Sequence, residues 1–215
     1  YGGGWNNNSS WSGNARPEAD DEAFVRTGTA SVTQNAVAST LHVLEGAGVV
    51  ISPGVQLTIS EDLDVQDLNS RINLSAGSVL AAQDAAVGQQ GELRLNGGQV
   101  VLENLDLTFN GELLRFGTAQ ATVDVTDTLR IFNGSEIAAF DGGTMTLNVG
   151  GELINDGQIR AVGGSTLQFE SVAQQPWNLD GSNDVGTGTK GALVANGGHI
   201  VFATGQFEGG PTFRG

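Results

Sequence analysis

The chain has 215 residues, nine Lys and Arg against 24 Asp and Glu, a net charge of −15 and no cysteine. That balance argues against nucleic acid and anionic membrane surfaces, which are gripped largely by Lys and Arg, and it excludes disulfide staples and thiolate metal sites. Glycine, at 33 residues, is too abundant for an ordinary globule yet lacks the every-third-residue period of collagen, and no apolar stretch approaches membrane-spanning length.

Residues 1–23 stand apart. Trp5 and Trp11 lie among Asn, Ser and Gly, and an acidic run Glu18-Ala19-Asp20-Asp21-Glu22 follows Pro17. This stretch is expected to cap the first edge of a winding sheet, where backbone groups are left unpaired. The start at Tyr1, without an initiator Met, suggests a processed chain or an excised piece. From Phe24 onward short alternating segments follow one another: Ala30–Thr33, Thr40–Leu44, Val49–Ile51, Gln56–Ser60, Arg71–Leu74, Glu92–Leu95 and Gln99–Leu102. Alternation of apolar and polar residues marks strands with one buried face. Ala81 to Gln90, rich in Ala and Gln, reads as an inserted loop.

Four later segments fall twenty residues apart, at 105–109, 125–129, 145–149 and 165–169, and their alternation breaks only at Asp127 and Ser165. Gly91-Glu92-Leu93, Gly111-Glu112-Leu113, Gly151-Glu152-Leu153 and Gly191-Ala192-Leu193 keep the same frame. Ile159–Val162 lies between the last two segments. A second loop, 172–190, contains Pro176 and Trp177; strands resume at Ala192–Ala195 and His199–Phe202, and 205–215 lacks repeat character. Asn-Gly and Asp-Gly pairs punctuate the strands as turns. A strand returning at a fixed interval, with no room for intervening helices, predicts an all-β, single-stranded parallel β-helix of about twenty residues per coil. Its organisation is a cap (1–23), a solenoid (24–204) with loops near 81–90 and 172–190, and a C-terminal tail or contact segment (205–215).

The opening block carries a resemblance. Trp5, Trp11, Pro17, Asp20-Asp21 and Ala23-Phe24-Val25, followed by Ala30-Ser31-Val32-Thr33 and Ser39-Thr40-Leu41-His42-Val43, resemble the start of secreted bacterial β-solenoids of the autotransporter-passenger and PEP-CTERM kind. The likeness covers about the first 45 residues in motif and most of the remainder in repeat style. It lacks the third aromatic that the pattern often carries near Ser12 to Ala15, as well as the C-terminal sorting segment and the outer-membrane barrel. It implies an extracellular or cell-surface location.

Chemistry is sparse at this level. At twenty-residue spacing Asn104, Asp124 and Thr144 share a column, as do Asp106, Thr126, Thr146 and Thr166, and no column holds two carboxylates at a hydrolytic separation. Arg71, Arg94, Arg115, Arg130 and Arg160 fall in different columns, and the one lysine is Lys190. His42 and His199 read as surface or packing residues. No nucleophile elbow, His-Glu-x-x-His pair or phosphate loop occurs. The chain is therefore read as no enzyme and as needing no cofactor. Calcium has two candidate positions, Asp20/Asp21 in the cap and Glu61/Asp62/Asp64, although the EF-hand and calcium-roll patterns are absent. Trp177, Trp5 and Trp11 are candidates for stacking on sugar rings. The favoured expectation is an extracellular filament subunit, matrix protein or adhesin that self-associates through its solenoid ends. The alternatives are a carbohydrate-binding module and a polysaccharide lyase or hydrolase.

Overall fold

The computed structural model describes residues 3–12, 14–171, 176–178, 191–202, 206–208 and 212–214, the segments at 176–178, 206–208 and 212–214 as backbone. It is an all-β parallel solenoid of about seven turns and about 22 residues per coil. From Thr29 on, each coil contributes one strand to each of three sheets, which we call faces I, II and III in the order the chain then visits them. Among the described residues face I has ten strands, starting at Gly3–Gly4 and Thr29–Val32; face II has eight, starting at Ala36–Ala38; face III has nine, starting at Glu22–Val25 and Thr40–Val43. Every strand pairs parallel to its counterpart in the next coil, so each polar position is stacked on an equivalent one.

Alternation builds the interior. Along face I, Val49, Ile72, Leu93, Leu113, Ile137 and Ile159 point inward and are fully buried. Leu41, Leu63, Leu105, Leu129 and Leu153 do the same along face III. Corners are cut by residues that close the backbone locally. Ser78 and Ser165 precede strands of face II, Ser70 and Ser135 precede strands of face I, and all four are buried. Ser165 Oγ bonds the carbonyls of Ala139 at 2.7 Å and Val162 at 2.6 Å. At the corner leading from face III to face I, a Cβ on Gly91 or Gly111 would overlap the carbonyl oxygen of Val65 or Val87 in the coil before. That overlap explains the first two Gly-Glu-Leu copies, since only glycine lets two backbones approach so closely. Gly151-Glu152-Leu153 opens a strand of face III instead, with Gly151 against the carbonyl oxygen of Asp127.

The period of twenty is corrected by the pairing. Glu92 pairs with Glu112, 20 residues on, but Glu112 pairs with Glu136, 24 on, and Glu136 with Gln158, 22 on. The corners differ in length, so a fixed frame drifts from one face to another. Residues 105–107 lie on face III and 145–149 on face II, while 125–129 turns the corner between them, Val125 ending one strand and Thr128 starting the next. Asp127 and Ser165, the two breaks in alternation, are corner residues. The columns drawn at twenty-residue spacing are accordingly replaced: Asn104 stacks between Asp84 and Thr128, and Asp106 between Ala86 and Arg130. The expected loop at 81–90 is also corrected, because Val79–Ala81 and Asp84–Val87 are full strands of faces II and III. Strands extend beyond 204, at Gln206–Glu208 and Thr212–Arg214, pairing with Pro176–Asn178 and Ala192–Asn196. Most of the expected 172–190 loop lies outside the described residues.

At the first coil, Trp5 is buried in the apolar interior, and its backbone N–H donates to Ser31 O at 2.8 Å. Trp11 packs edge-on against it, ring centroids 5.0 Å apart, and donates its indole N–H to Trp5 O at 2.8 Å. The hydrogen bond satisfies the polar end of one indole while both rings cover apolar surface.

Candidate functional site

Outward positions of faces I and III concentrate the charged side chains. On face III two polar columns run side by side. One reads Glu22, Thr40, Asp62, Asp84, Asn104, Thr128; the other reads Phe24, His42, Asp64, Ala86, Asp106, Arg130. They border an open groove of about 390 Å³ whose walls include Asp62, Asp64, Asp84, Asp106 and Arg130. The small Ala86 leaves its floor low between Asp64 and Asp106. Asn104 donates its side-chain amide to Asp84 at 2.7 Å and accepts from Thr128 N–H at 3.2 Å. Asp106 is pushed above the ordinary carboxylate range, first by partial burial and then by Asp84, against the pull of Arg130. Upstream, His42 sits between Glu22 and Asp64, one ring nitrogen 2.9 Å from each. Its ring stacks on Phe24 at 4.6 Å, and Arg26 lies over the Phe24 ring at 5.0 Å.

Face I carries a ladder of Glu92, Glu112 and Glu136 on three successive coils. Arg94 pairs with Glu92, and Arg160 with Glu136 at 2.7 Å. Beside the ladder Phe116 and Phe140 stack at 5.3 Å, with Arg94 over Phe116 at 5.7 Å and Arg160 over Phe140 at 5.2 Å. The result is a four-layer cation–ring–ring–cation pile along the axis. Because guanidinium or a second phenyl faces these rings, the pile serves the face rather than offering a stacking platform. Glu112 is pushed above its ordinary range by burial, then by Glu92 and Glu136, with Arg94 and Arg160 opposing; Glu136 rises by burial, with Arg160 opposing. The expectation that no column holds two carboxylates at a hydrolytic separation was drawn on columns at twenty-residue spacing; in the paired register three glutamates share one column. Arg94 and Arg160 share another, which corrects the reading that the arginines fall in separate columns.

Arg115 is the surprise. It points inward, fully buried, above the small Ala139 and Ala161. Its guanidinium donates to the carbonyls of Gly117, Ala119 and Phe140, the last at 2.8 Å, and so pins the longest corners of the coil. Gly143 lies against the guanidinium, where a Cβ would overlap it. Burial lowers Arg115's affinity for its proton, Asp141 opposing. Sequence reading assigned this residue only a column of its own among the arginines, and Gly-rich corners on either side were the one local sign of its burial.

The residues singled out for binding are dispersed. Asp20 and Asp21 are exposed, Asp21 accepting from Glu18 N–H at 2.9 Å and closing a turn. In the second acidic cluster, Glu61 accepts from Ser39 Oγ at 2.9 Å and Asp64 lies 2.9 Å from His42 Nδ1. Among the described residues no group of three or more His, Asp or Glu is placed to hold a metal ion. Trp5 is buried, so it offers no ring face to a sugar. Trp177 lies in the strand Pro176–Asn178, and its side chain is outside the described residues. His199 is exposed at the start of the last described strand of face II. Among the described residues no helix is long and apolar enough to cross a membrane. Comparison with family models, curated proteins and solved structures finds no match for this chain.

Proposed function

We propose that this chain is an extracellular structural β-solenoid, a subunit of a surface or matrix filament or adhesin, that assembles by end-to-end contacts and is not an enzyme. One observation carries the reading: three continuous sheets whose strands all run parallel, so that the first and last strand of each face present complementary backbone edges. At the first coil the described terminal strands are Gly3–Gly4, Ala36–Ala38 and Glu22–Val25, each paired on one side. Unpaired strand edges are templates for a further strand, and a heterologous contact of that kind propagates without closing. The resemblance of the opening block to secreted bacterial solenoids supports the location.

Sedimentation of the full chain tests the reading, with species growing as concentration rises. Val37 is an exposed position of the terminal strand Ala36–Ala38. Val37→Lys is expected to arrest that growth while leaving the circular dichroism of the chain unchanged, since edge lysines block strand addition. A chain that stays monomeric at every concentration contradicts it.

The face III groove favours a second reading, a glycan-binding adhesin module, because its carboxylates, Asn104 and Arg130 are suited to sugar hydroxyls. Binding on a glycan array, lost in Asp84→Ala, is its expected signature.

A further inference from the structure

The arrangement around His42 carries an inference independent of whether the ends assemble. His42 lies on the second strand of face III, Thr40–Val43, between the terminal strand Glu22–Val25 and the third strand Asp62–Val65. Its Nε2 is 2.9 Å from Glu22 Oε1 and its Nδ1 2.9 Å from Asp64 Oδ2. A neutral imidazole has one N–H and one lone pair, so in either tautomer one of the two carboxylates faces a lone pair. Only the protonated ring donates to both. The ring is also positioned for charge: it stacks nearly parallel on Phe24, with interplanar angle 15°. The ionisable groups facing it are Glu22 from the strand before and Asp64 from the strand after, with Arg26 on the far side of the Phe24 ring.

The geometry points to a proton-dependent latch. With the ring protonated, His42 ties the terminal strand of face III to the two coils behind it through Glu22 and Asp64. When the ring loses its proton one of the two carboxylates faces a lone pair, the bridge through the ring is broken on one side, and the terminal strand leans more on its backbone ladder and on the burial of Ala23 and Val25. The strand so governed also lines, with Trp11, an open groove of about 730 Å³ at the end of the solenoid. The latch therefore sets how firmly that end of face III is closed. It contributes while the ring carries both protons and is lost on the neutral ring. Glu22 is more than half exposed, which keeps the effect to that of a partly solvated ion pair.

Hydrogen exchange and ring ¹⁵N spectra of the full chain test this. The two histidines are told apart with His199→Gln. At pH 5 the His42 ring is expected to show both nitrogens protonated. Protection of the Ala23, Phe24 and Val25 amides, corrected for intrinsic exchange, is expected to fall about threefold to fivefold between pH 5 and pH 8. Leu105–Leu107, in mid-solenoid on the same face, serves as the internal reference and is expected to stay level. In His42→Gln the pH response of the terminal strand is expected to vanish. Glu22→Gln, at an exposed position, repeats the test without touching the core and is expected to diminish the response. A ring with a single N–H at pH 5, equal protection at both pH values, or a response that persists in both variants overturns the latch.

Discussion

Faces I and III meet the same difficulty in opposite ways. Both stack carboxylates on neighbouring coils, about 4.8 Å apart by the spacing of paired strands. Face I keeps three glutamates in one unbroken column and supplies two arginines, each held over a phenylalanine, so the central Glu112 has like charges on both sides. Face III breaks its columns instead. Asn104 follows Asp84 and donates to it, Ala86 separates Asp64 from Asp106, and His42 and Arg130 stand at the two ends. The parallel solenoid forces like to stack on like, and either counter-charge or dilution relieves the repulsion. Dilution leaves a groove; counter-charge leaves a packed pile.

The largest effect expected from breaking this comparison lies beneath face I. Arg115→Ala removes the donor to three corner carbonyls and opens a void, and should lower unfolding stability by about 3 kcal/mol or more. The exposed Arg130→Ala on face III should change it by less than about 0.5 kcal/mol. Urea denaturation of both chains reads the difference. Next comes Gly111→Ala at the corner between the two faces: overlap with Val87 O should cost about 1–3 kcal/mol by the same assay. Ala86→Asp then gives face III three stacked carboxylates in one column, flanked by His42 and Arg130. A loss of about 0.2–1 kcal/mol is expected at neutral pH, recovered on acidification. If Ala86→Asp proves neutral at pH 8, stacked carboxylates are not the difficulty described here.

The smallest effect concerns pH. Glu112 and Glu136 bind protons more tightly folded than unfolded, their ordinary value being 4.5. Between that value and their raised native range the folded state holds more protons, so stability falls as pH rises through the window and is regained as pH falls toward 4.5. Glu112→Gln should flatten this dependence and stabilise the chain at pH 8 by a few tenths of a kcal/mol, roughly the cost of a like-charge cross-strand pair. Thermal midpoints at pH 5 and pH 8 for the two chains check it.

The architecture was legible because alternation and turn pairs are local signals: Arg71–Leu74, Glu92–Leu95 and His199–Phe202 were bounded from the residues alone. Coil register was not, because it depends on the number of residues in each corner. Val125 through Leu129 begins and ends as one strand would, yet a corner passes through it at Asp127, the residue that breaks its alternation. Asp84–Val87 was hidden by alanines, which say little about strand or loop. The polar columns of faces I and III depend on register, so Glu92 and Glu112 shared the twenty-residue frame while Glu136, 24 residues on, fell outside it, and His42 was not seen as a bridge. The burial of Arg115 was hidden for a different reason. A charged residue at an inward position is rare, and its warrant is the ring of carbonyls and the alanines of the next two coils, which no single strand reveals.

Electron microscopy of the purified full chain tests the central claim of end-to-end assembly most directly. Unbranched filaments of single-solenoid width, lengthening with concentration, are the expected result. Isolated short rods at every concentration would contradict assembly through the ends and shift attention to the groove on face III.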